Sequence, residues 1–386
     1  MSASLTALAA DKLADLEARN LRRWLKDSPR DGGSVIVRDG RRMISFCCND
    51  YLNLSQDPRV IAAANAATAR YGTGSGGSRL ITGNYPLLGE LEARLAALKG
   101  AEDCIVFGSG YLANIGIIPT LVGKQDVILA DALIHNCMIA GSRLSGAAYH
   151  QFRHNDLQHL ETLLQELRET HRHCLILTDG VFSMDGDLAP VPALLALAER
   201  HDAWLLTDDA HGIGVVGGGR GSSFAFGDKV EVPLQMGTLS KAVGSYGGYL
   251  CADRPVIDLM KTRAWSMVYS TGLPPGVVAA SLAALDIIEN EPDYCARPLA
   301  NARLFCDLLG LPAPESPIVP IILGAETRAL EASRKLEAEG FLVSAIRPPT
   351  VPAGTARLRL TFTACHEEAD IRRLAAGVAT VLEAAA

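Results

Sequence analysis

The chain has 386 residues, with 36 Lys and Arg against 43 Asp and Glu, a formal net charge of −7. A net acidic chain with 5% aromatics lacks the basic footprint and the stacking platforms of a general nucleic-acid binder. Hydrophobic residues make up 48%, enough for a large core, but no stretch approaches the run of about 18 uncharged apolar residues that a membrane span needs.

In chain order, residues 5–27 read as an amphipathic helix, because Leu5, Leu8, Leu13, Leu16, Leu21 and Leu25 recur near the helical period. The first apolar run ends at Asp11, too early for a signal-peptide core. Asp39-Gly40 lies between β-like runs at 34–38 and 42–46 and predicts a hairpin. From about residue 55, short apolar runs alternate with helical stretches. Strands are expected at 104–107, 127–130, 174–178, 203–207, 234–236 and 248–252, with helices such as 156–169 and 192–200 between them. This alternation implies an α/β fold with a mostly parallel, doubly wound sheet, whose ligands bind beyond the carboxyl ends of strands. After a Pro-rich stretch at 300–320, strands at 318–323, 341–346 and 357–361 and helices at 326–339 and 367–382 read as a smaller α+β domain. The expected division is 1–50, 51–290 and 291–386. The nine cysteines include no CxxC pair and read as free thiols of a reducing cytosol.

Four features carry chemistry. Gly72-Thr73-Gly74-Ser75-Gly76-Gly77 contains GxGxxG but follows a helical stretch, so it is no dinucleotide fingerprint. Gly108-Ser109-Gly110-Tyr111 follows a strand and opens a helix, an arrangement suited to a phosphate. Leu205–Leu206–Thr207 runs into Asp208, Asp209 and His211; a carboxylate buried there needs a cation such as a protonated ring nitrogen, and spacing does not choose between the two aspartates. Lys241, in Thr238-Leu239-Ser240-Lys241, sits among small residues and hydroxyls where an amine can be kept neutral and nucleophilic for Schiff-base chemistry. No GxSxG elbow occurs, and His150 and His154, though spaced i,i+4, lack the glutamate of a zinc HExxH motif, so no metal is expected.

Glycine turn, strand-end Asp and lysine in this order resemble the fold-type I pyridoxal-phosphate enzymes. Asn49-Asp50-Tyr51-Leu52, Gly72 to Gly83, Asp208 to Gly212, Thr238 to Lys241 and Tyr269-Ser270-Thr271 resemble the α-oxoamine synthases within them, from about Leu21 to the last helix. Those enzymes are acyltransferases that join an amino acid to an acyl-CoA with loss of carbon dioxide. The resemblance implies a large seven-stranded sheet domain, a smaller α+β C-terminal domain and pyridoxal 5'-phosphate (PLP) as cofactor. By it, Lys241 links to the cofactor, Asp208 pairs with the ring nitrogen, His211 contacts the ring hydroxyl and His135 stacks on the ring. Ser109, Gly110, Tyr111, Thr238 and Ser240 hold the phosphate, Ser183 lies at the cofactor, and Thr271 reaches the phosphate of the neighbouring subunit. Arg22 (or Arg23 beside it), Asn49, His135 and Thr350 contact substrate, and Arg359 holds the amino-acid carboxylate. The runs 72–83, 179–191 and 346–366 resemble the biotin-pathway branch, which implies L-alanine and pimeloyl-CoA or a pimeloyl carrier protein as partners, and a cytoplasmic homodimer. Other branches use glycine or serine with a different acyl-CoA. Glycines at 72–77, 108–110 and 212 are expected to approach the cofactor closely.

Overall fold

The computed structural model describes residues 4–19 and 21–383. Helix α1 (Leu5–Ala18) is capped by the Ser4 hydroxyl, which accepts from the Ala7 N–H at 3.1 Å. It is shorter than the expected 5–27, and the described residues from 21 to 29 have no regular structure. The leucine spacing is genuine, but α1 buries none of its residues, and Leu25 is fully exposed. A periodic face propagates a helix only where something packs against it. The hairpin pairs β1 (Val35–Arg38) with β2 (Arg41–Ser45) in the expected place. Asp39 and Gly40 take φ of 51° and 75°, the left-handed pair that a tight hairpin turn requires.

Helices α2 (Pro58–Tyr71) and α3 (Pro86–Lys99) lead into the main sheet. There follow β3 (Asp103–Phe107), α4 (Gly110–Leu121), β4 (Val127–Asp131), α5 (Asn136–Ser145), β5 (Ala148–Phe152), α6 (Leu157–Leu167) and β6 (Cys174–Asp179). Then come α7 (Val191–Arg200), β7 (Trp204–Asp208), β8 (Leu234–Thr238) and β9 (Gly248–Ala252). The strand order is β3-β9-β8-β7-β6-β4-β5, and only β9 runs antiparallel to its neighbours. This is the mostly parallel, seven-stranded α/β sheet anticipated. Strand β5 was not among the expected strands because it is the sheet edge, where His150 and Gln151 face solvent and break the apolar run.

Central strands are buried on both faces, as parallel sheets covered by helices are. Residues 128 and 130 of β4 and 175 and 177 of β6 join α4 and α5 in one apolar cluster; residues 127 and 129 and 174 and 176 join α6 and α7 in another. Helices α8 (Arg254–Arg263), α9 (Trp265–Val268) and α10 (Pro275–Asn290) cover the sheet, with α10 against α2 and α3. Helix α11 (Pro292–Leu309) runs through the first part of the Pro-rich stretch, with Pro298 inside it.

The C-terminal part has β10 (Ile318–Gly324), α12 (Glu326–Ala338), β11 (Phe341–Leu342), β12 (Ser344–Ile346), β13 (Ala356–Thr361) and α13 (Glu368–Glu383). The single strand expected at 341–346 is two. Phe341 and Leu342 pair with β2 in parallel, while Ser344 to Ile346 pair with β13, so the N-terminal hairpin is joined to this part of the chain. Phe46 packs with Phe341, Phe362 and Phe305 in its core.

Candidate active site

Five parallel strands discharge their loops at one edge of the sheet. Beyond β3 lie Ser109 and Gly110, beyond β4 His135, beyond β6 Ser183, beyond β7 His211 and beyond β8 Ser240 and Lys241. They enclose a cavity of about 200 Å³ that brings together Ser109, Gly110, Tyr111, His135, Ser183, Asp208, His211, Thr238, Ser240 and Lys241, residues the sequence singled out. It also contains Cys137, Asp179, Ala210 and Met236, which it did not.

Lys241 Nζ lies 2.8 Å from His211 Nε2, and His211 Nδ1 lies 2.6 Å from the hydroxyl of fully buried Tyr51. Burial pushes the Lys241 amine below the usual lysine range, outweighing the pull of Asp208 and Asp179. Burial, then the Lys241 charge, holds His211 well below the usual histidine value. Burial also raises the Tyr51 phenol to about 12. An amine whose charged form is disfavoured by burial, held against an imidazole, is suited to act as a nucleophile and a base.

The two aspartates after β7 face opposite ways. Asp208 lines the cavity; its Oδ2 accepts from Asn114 Nδ2 at 2.8 Å and its Oδ1 from the Ala210 N–H at 3.0 Å. No cation among the described residues pairs with it. Asp209 turns inward, 2.6 Å from the Nζ of fully buried Lys99, and also accepts from the Ser222 N–H. Glycines make room for it: a Cβ on Gly212 would come within 2.1 Å of Asp209 Oδ1, so this glycine serves a carboxylate behind the cavity. Asp179, level with Asp208 on the adjacent strand, is a second buried carboxylate in the cavity wall. Burial and then the Asp208 charge push it well above the usual carboxyl range. Asp179 ends an apolar run as Asp208 does, a signal open to sequence reading; nothing in the pattern marks Asn114 or Cys137.

At the start of α4, Ser109 is the N-cap, its hydroxyl accepting from the Leu112 N–H at 3.1 Å. The N–H groups of Gly110 and Tyr111 have no intrahelical acceptor and open toward the cavity. A Cβ on Gly110 would meet Thr238 Cβ at 3.3 Å, so the helix start and the β8 loop are in near contact. Thr238 donates to the Gly247 carbonyl at 2.7 Å, so in its 2.7 Å contact with Ser240 it is the Ser240 hydroxyl that donates and the Thr238 oxygen that accepts.

Arg359, on β13, is buried and donates from Nε to the Ser183 carbonyl at 2.5 Å and from both terminal nitrogens to Asn49 Oδ1 at 3.2 Å. Arg357, two residues away, pairs with Asp185; Arg359 pairs with no carboxylate among the described residues. Arg22 and Thr350 are outside this cavity. They share another, of about 720 Å³, with Arg23, so both arginines remain candidates. A third, of about 350 Å³, connects the two by its lining: it has His135 and Ser183 in common with the first and Pro349 and Thr350 with the second. Thr271 is exposed and pairs with Ser78 away from Lys241. The glycines at 72–77 do not line the Lys241 cavity either. Gly77 accepts from the Gly272 N–H at 3.0 Å, so the close approach is to the strip carrying Thr271.

The chain matches the family model described as aminotransferase class I and II over residues 41–378. It is 61% identical over 384 residues to the 8-amino-7-oxononanoate synthase of Maricaulis maris, covering 100% of this chain and 98% of that one. It is 60% identical over 383 residues to that of Beijerinckia indica, covering 99% of each. The chain belongs to the 8-amino-7-oxononanoate synthase family. Among solved structures, a serine palmitoyltransferase from S. paucimobilis with a bound PLP–myriocin adduct superposes with a TM-score of 0.91 at 30% identity, over 98% of this chain and 97% of that one. The 8-amino-7-oxononanoate synthase family therefore shares its fold with an acyltransferase of different substrates, while the identity is far higher within the family itself. No helix of the described residues is long and apolar enough to cross a membrane.

Proposed function

We propose that the chain condenses L-alanine with pimeloyl-CoA, or with pimeloyl carrier protein, to 8-amino-7-oxononanoate, the free thiol and carbon dioxide, a step of biotin biosynthesis, with PLP as cofactor. The observation that carries this reading is the buried Lys241 amine, its charged form disfavoured by burial, sharing one cavity with a buried Asp208 carboxylate that pairs with no cation among the described residues. Identity of 60–61% to named 8-amino-7-oxononanoate synthases, against 30% to a serine palmitoyltransferase, supports alanine and a pimeloyl thioester over serine or glycine with another acyl group.

The residues present fit PLP. A buried carboxylate awaits a protonated ring nitrogen, an amine awaits an aldehyde, and a helix start with free N–H groups and a hydroxyl awaits a phosphate. Asp208, Lys241 and Gly110 with Tyr111 and Ser240 would hold those three parts; His135 and Ser183 would bound the ring. When bound, the cofactor supplies an electron sink for the electron pair left at Cα. Lys241 then has two tasks. Its amine yields its place to alanine, and it holds at Nζ the proton taken from Cα. His211, fixed by Tyr51, orients that amine. Arg359 would bind the alanine carboxylate, since Asn49 and the Ser183 carbonyl position its guanidinium but leave its charge unpaired. The new carbon–carbon bond forms at the thioester carbonyl, the thiol departs, the carboxylate leaves as carbon dioxide and a proton returns to Cα. Thr350 and Arg22 or Arg23 would contact the thioester along the adjoining cavities.

In this reading residues 51–290 bind the cofactor and 291–386 contribute Arg359, while 1–50 form an N-terminal segment. The protein acts as a homodimer, with Thr271 reaching the partner's phosphate. Nine free cysteines suit a reducing cytoplasm. The test is a panel of amino acids against acyl thioesters with product mass as readout. Alanine with a pimeloyl thioester should give 8-amino-7-oxononanoate; product only with glycine or serine would overturn the assignment.

A further inference from the structure

His154 lies outside the cavity and was singled out in the sequence only as a weak metal-ligand pattern with His150. That pattern dissolves in the fold, since His150 is on edge strand β5 and His154 in the loop after it. No group of His, Cys, Asp and Glu among the described residues has the arrangement of a metal site. Both ring nitrogens of His154 instead face carboxylates. Nδ1 is 3.1 Å from Asp131 Oδ1, and Nε2 is 2.8 Å from Asp187 Oδ2.

The two carboxylates sit at the bases of two loops whose His135 and Ser183 line the active-site cavity. Asp131 ends β4, its Oδ1 accepts from the Leu133 N–H at 2.8 Å, and four residues on is His135. Asp187 closes the base of the loop that carries Ser183, where its carbonyl accepts from the Phe182 N–H at 3.0 Å. The Phe182 ring meets the imidazole edge-on at 4.4 Å. Asn155 doubles the connection, its backbone N–H donating to Asp131 and its side-chain amide to Asp187. Asp131 and Asp187 are the charged groups facing His154 from the packed elements. Without a proton on each ring nitrogen, at least one of them would face a lone pair.

We propose that His154 is a positioning residue: as an imidazolium donating to both Asp131 and Asp187, it staples the turn carrying His135 to the loop carrying Ser183, and so sets how tightly the pocket grips the cofactor and the acyl chain. The cofactor half of this inference rests on the function proposed above. Burial alone would lower the His154 pKa, but the hydrogen bonds to Asp131 and Asp187 prevail and raise it to about 10. The staple therefore stays charged through the physiological range.

The first test needs no substitution. In protein labelled with ¹⁵N-histidine, His154 should have both ring nitrogens protonated at pH 8; a neutral ring at that pH overturns the proposal. The second is PLP affinity followed by fluorescence. His154→Gln should bind PLP about tenfold more weakly and raise KM for the acyl thioester more than it lowers kcat. Adding Asp187→Asn, which removes the unbalanced charge, should recover most of the affinity. Wild-type affinity in H154Q, or no recovery in the double variant with circular dichroism unchanged, overturns it. Wild-type protein that binds PLP yet makes no 8-amino-7-oxononanoate would sink the proposed reaction and leave the staple standing.

Discussion

Asp208 and Asp209 are neighbours of the same chemical type, yet they work on opposite sides of a wall. Asp208→Asn keeps the hydrogen-bonding shape but removes the charge facing the cavity. It should lower kcat by about a hundredfold or more while leaving the melting temperature nearly unchanged. Asp209→Asn should do the reverse. It strands the buried Lys99 ammonium and should cost about 3–5 kcal/mol in urea unfolding, an amount expected when one partner of a buried pair is removed. Equal effects of the two on stability would refute this division. Lys241 permits a test by pH. Because burial lowers its pKa, its amine becomes neutral at a lower pH than surface lysines. In cofactor-free protein, an amine-reactive label read by peptide mass should modify Lys241 at a pH below the usual lysine range; reaction only within that range would refute the shift. Arg359→Lys should raise KM for alanine about tenfold, since an ammonium cannot keep the three-pronged contacts to Ser183 and Asn49. Lys241 and the Asp208-Asp209 pair stood out as candidates because each lies in a short run of unusual composition. The separation of Asp208 from Asp209 was not legible from spacing, since it depends on Lys99, distant in the chain.

Elements, more than single residues, hold the loops at the sheet edge in register. The N-cap of α4 illustrates how local and functional order coincide. Ser109→Ala should cost about 1 kcal/mol of stability by chemical denaturation, because the Leu112 N–H loses its acceptor. The staple at His154 ties β4, the loop after β5 and the loop after β6 in a different way, through charge, and this makes its contribution depend on pH. A histidine whose pKa rises on folding takes up a proton with folding, so its stabilisation is full below about 6.5 and fades as the pH climbs to about 10. The gap in unfolding free energy between wild type and H154Q should narrow over that window; a constant gap would mean that the ring is held by packing alone. Most strands were legible as short apolar runs between helical stretches. Edge strand β5 was not, because exposed His150 and Gln151 interrupt its apolar residues, and α1 was over-read because periodicity carries no information about what a face will meet.

At the scale of the whole molecule, several apolar groups are exposed among the described residues. Trp265 and Tyr269, which precede Thr271 by six and two residues, are 77% and 78% exposed. Their rings contact each other edge-on. A second copy of this chain covering them would account for both that exposure and the distance of Thr271 from its own Lys241. Trp265→Asp should then shift sedimentation from dimer toward monomer and lower activity, although it leaves every side chain around Lys241 in place. Wild-type sedimentation as a monomer would remove the basis for a shared site.

Sequence alone determined what depends on residue type and short spacing. That includes the α/β alternation, the turn at Asp39-Gly40, the glycine-led helix start at Ser109-Gly110, the candidate amine at Lys241 and the candidate carboxylate pair Asp208-Asp209. Tertiary structure decided everything that depends on burial and on partners remote in the chain. Lys99 claims Asp209 and leaves Asp208 to the cavity, Tyr51 backs His211, and Arg359 is a buried cation that pairs with no carboxylate among the described residues. Asp131 and Asp187 turn an unremarkable histidine into a charged staple. The physical reason is common to all four. The free energy of a charge is set by what surrounds it, and those surroundings are assembled only when distant segments meet.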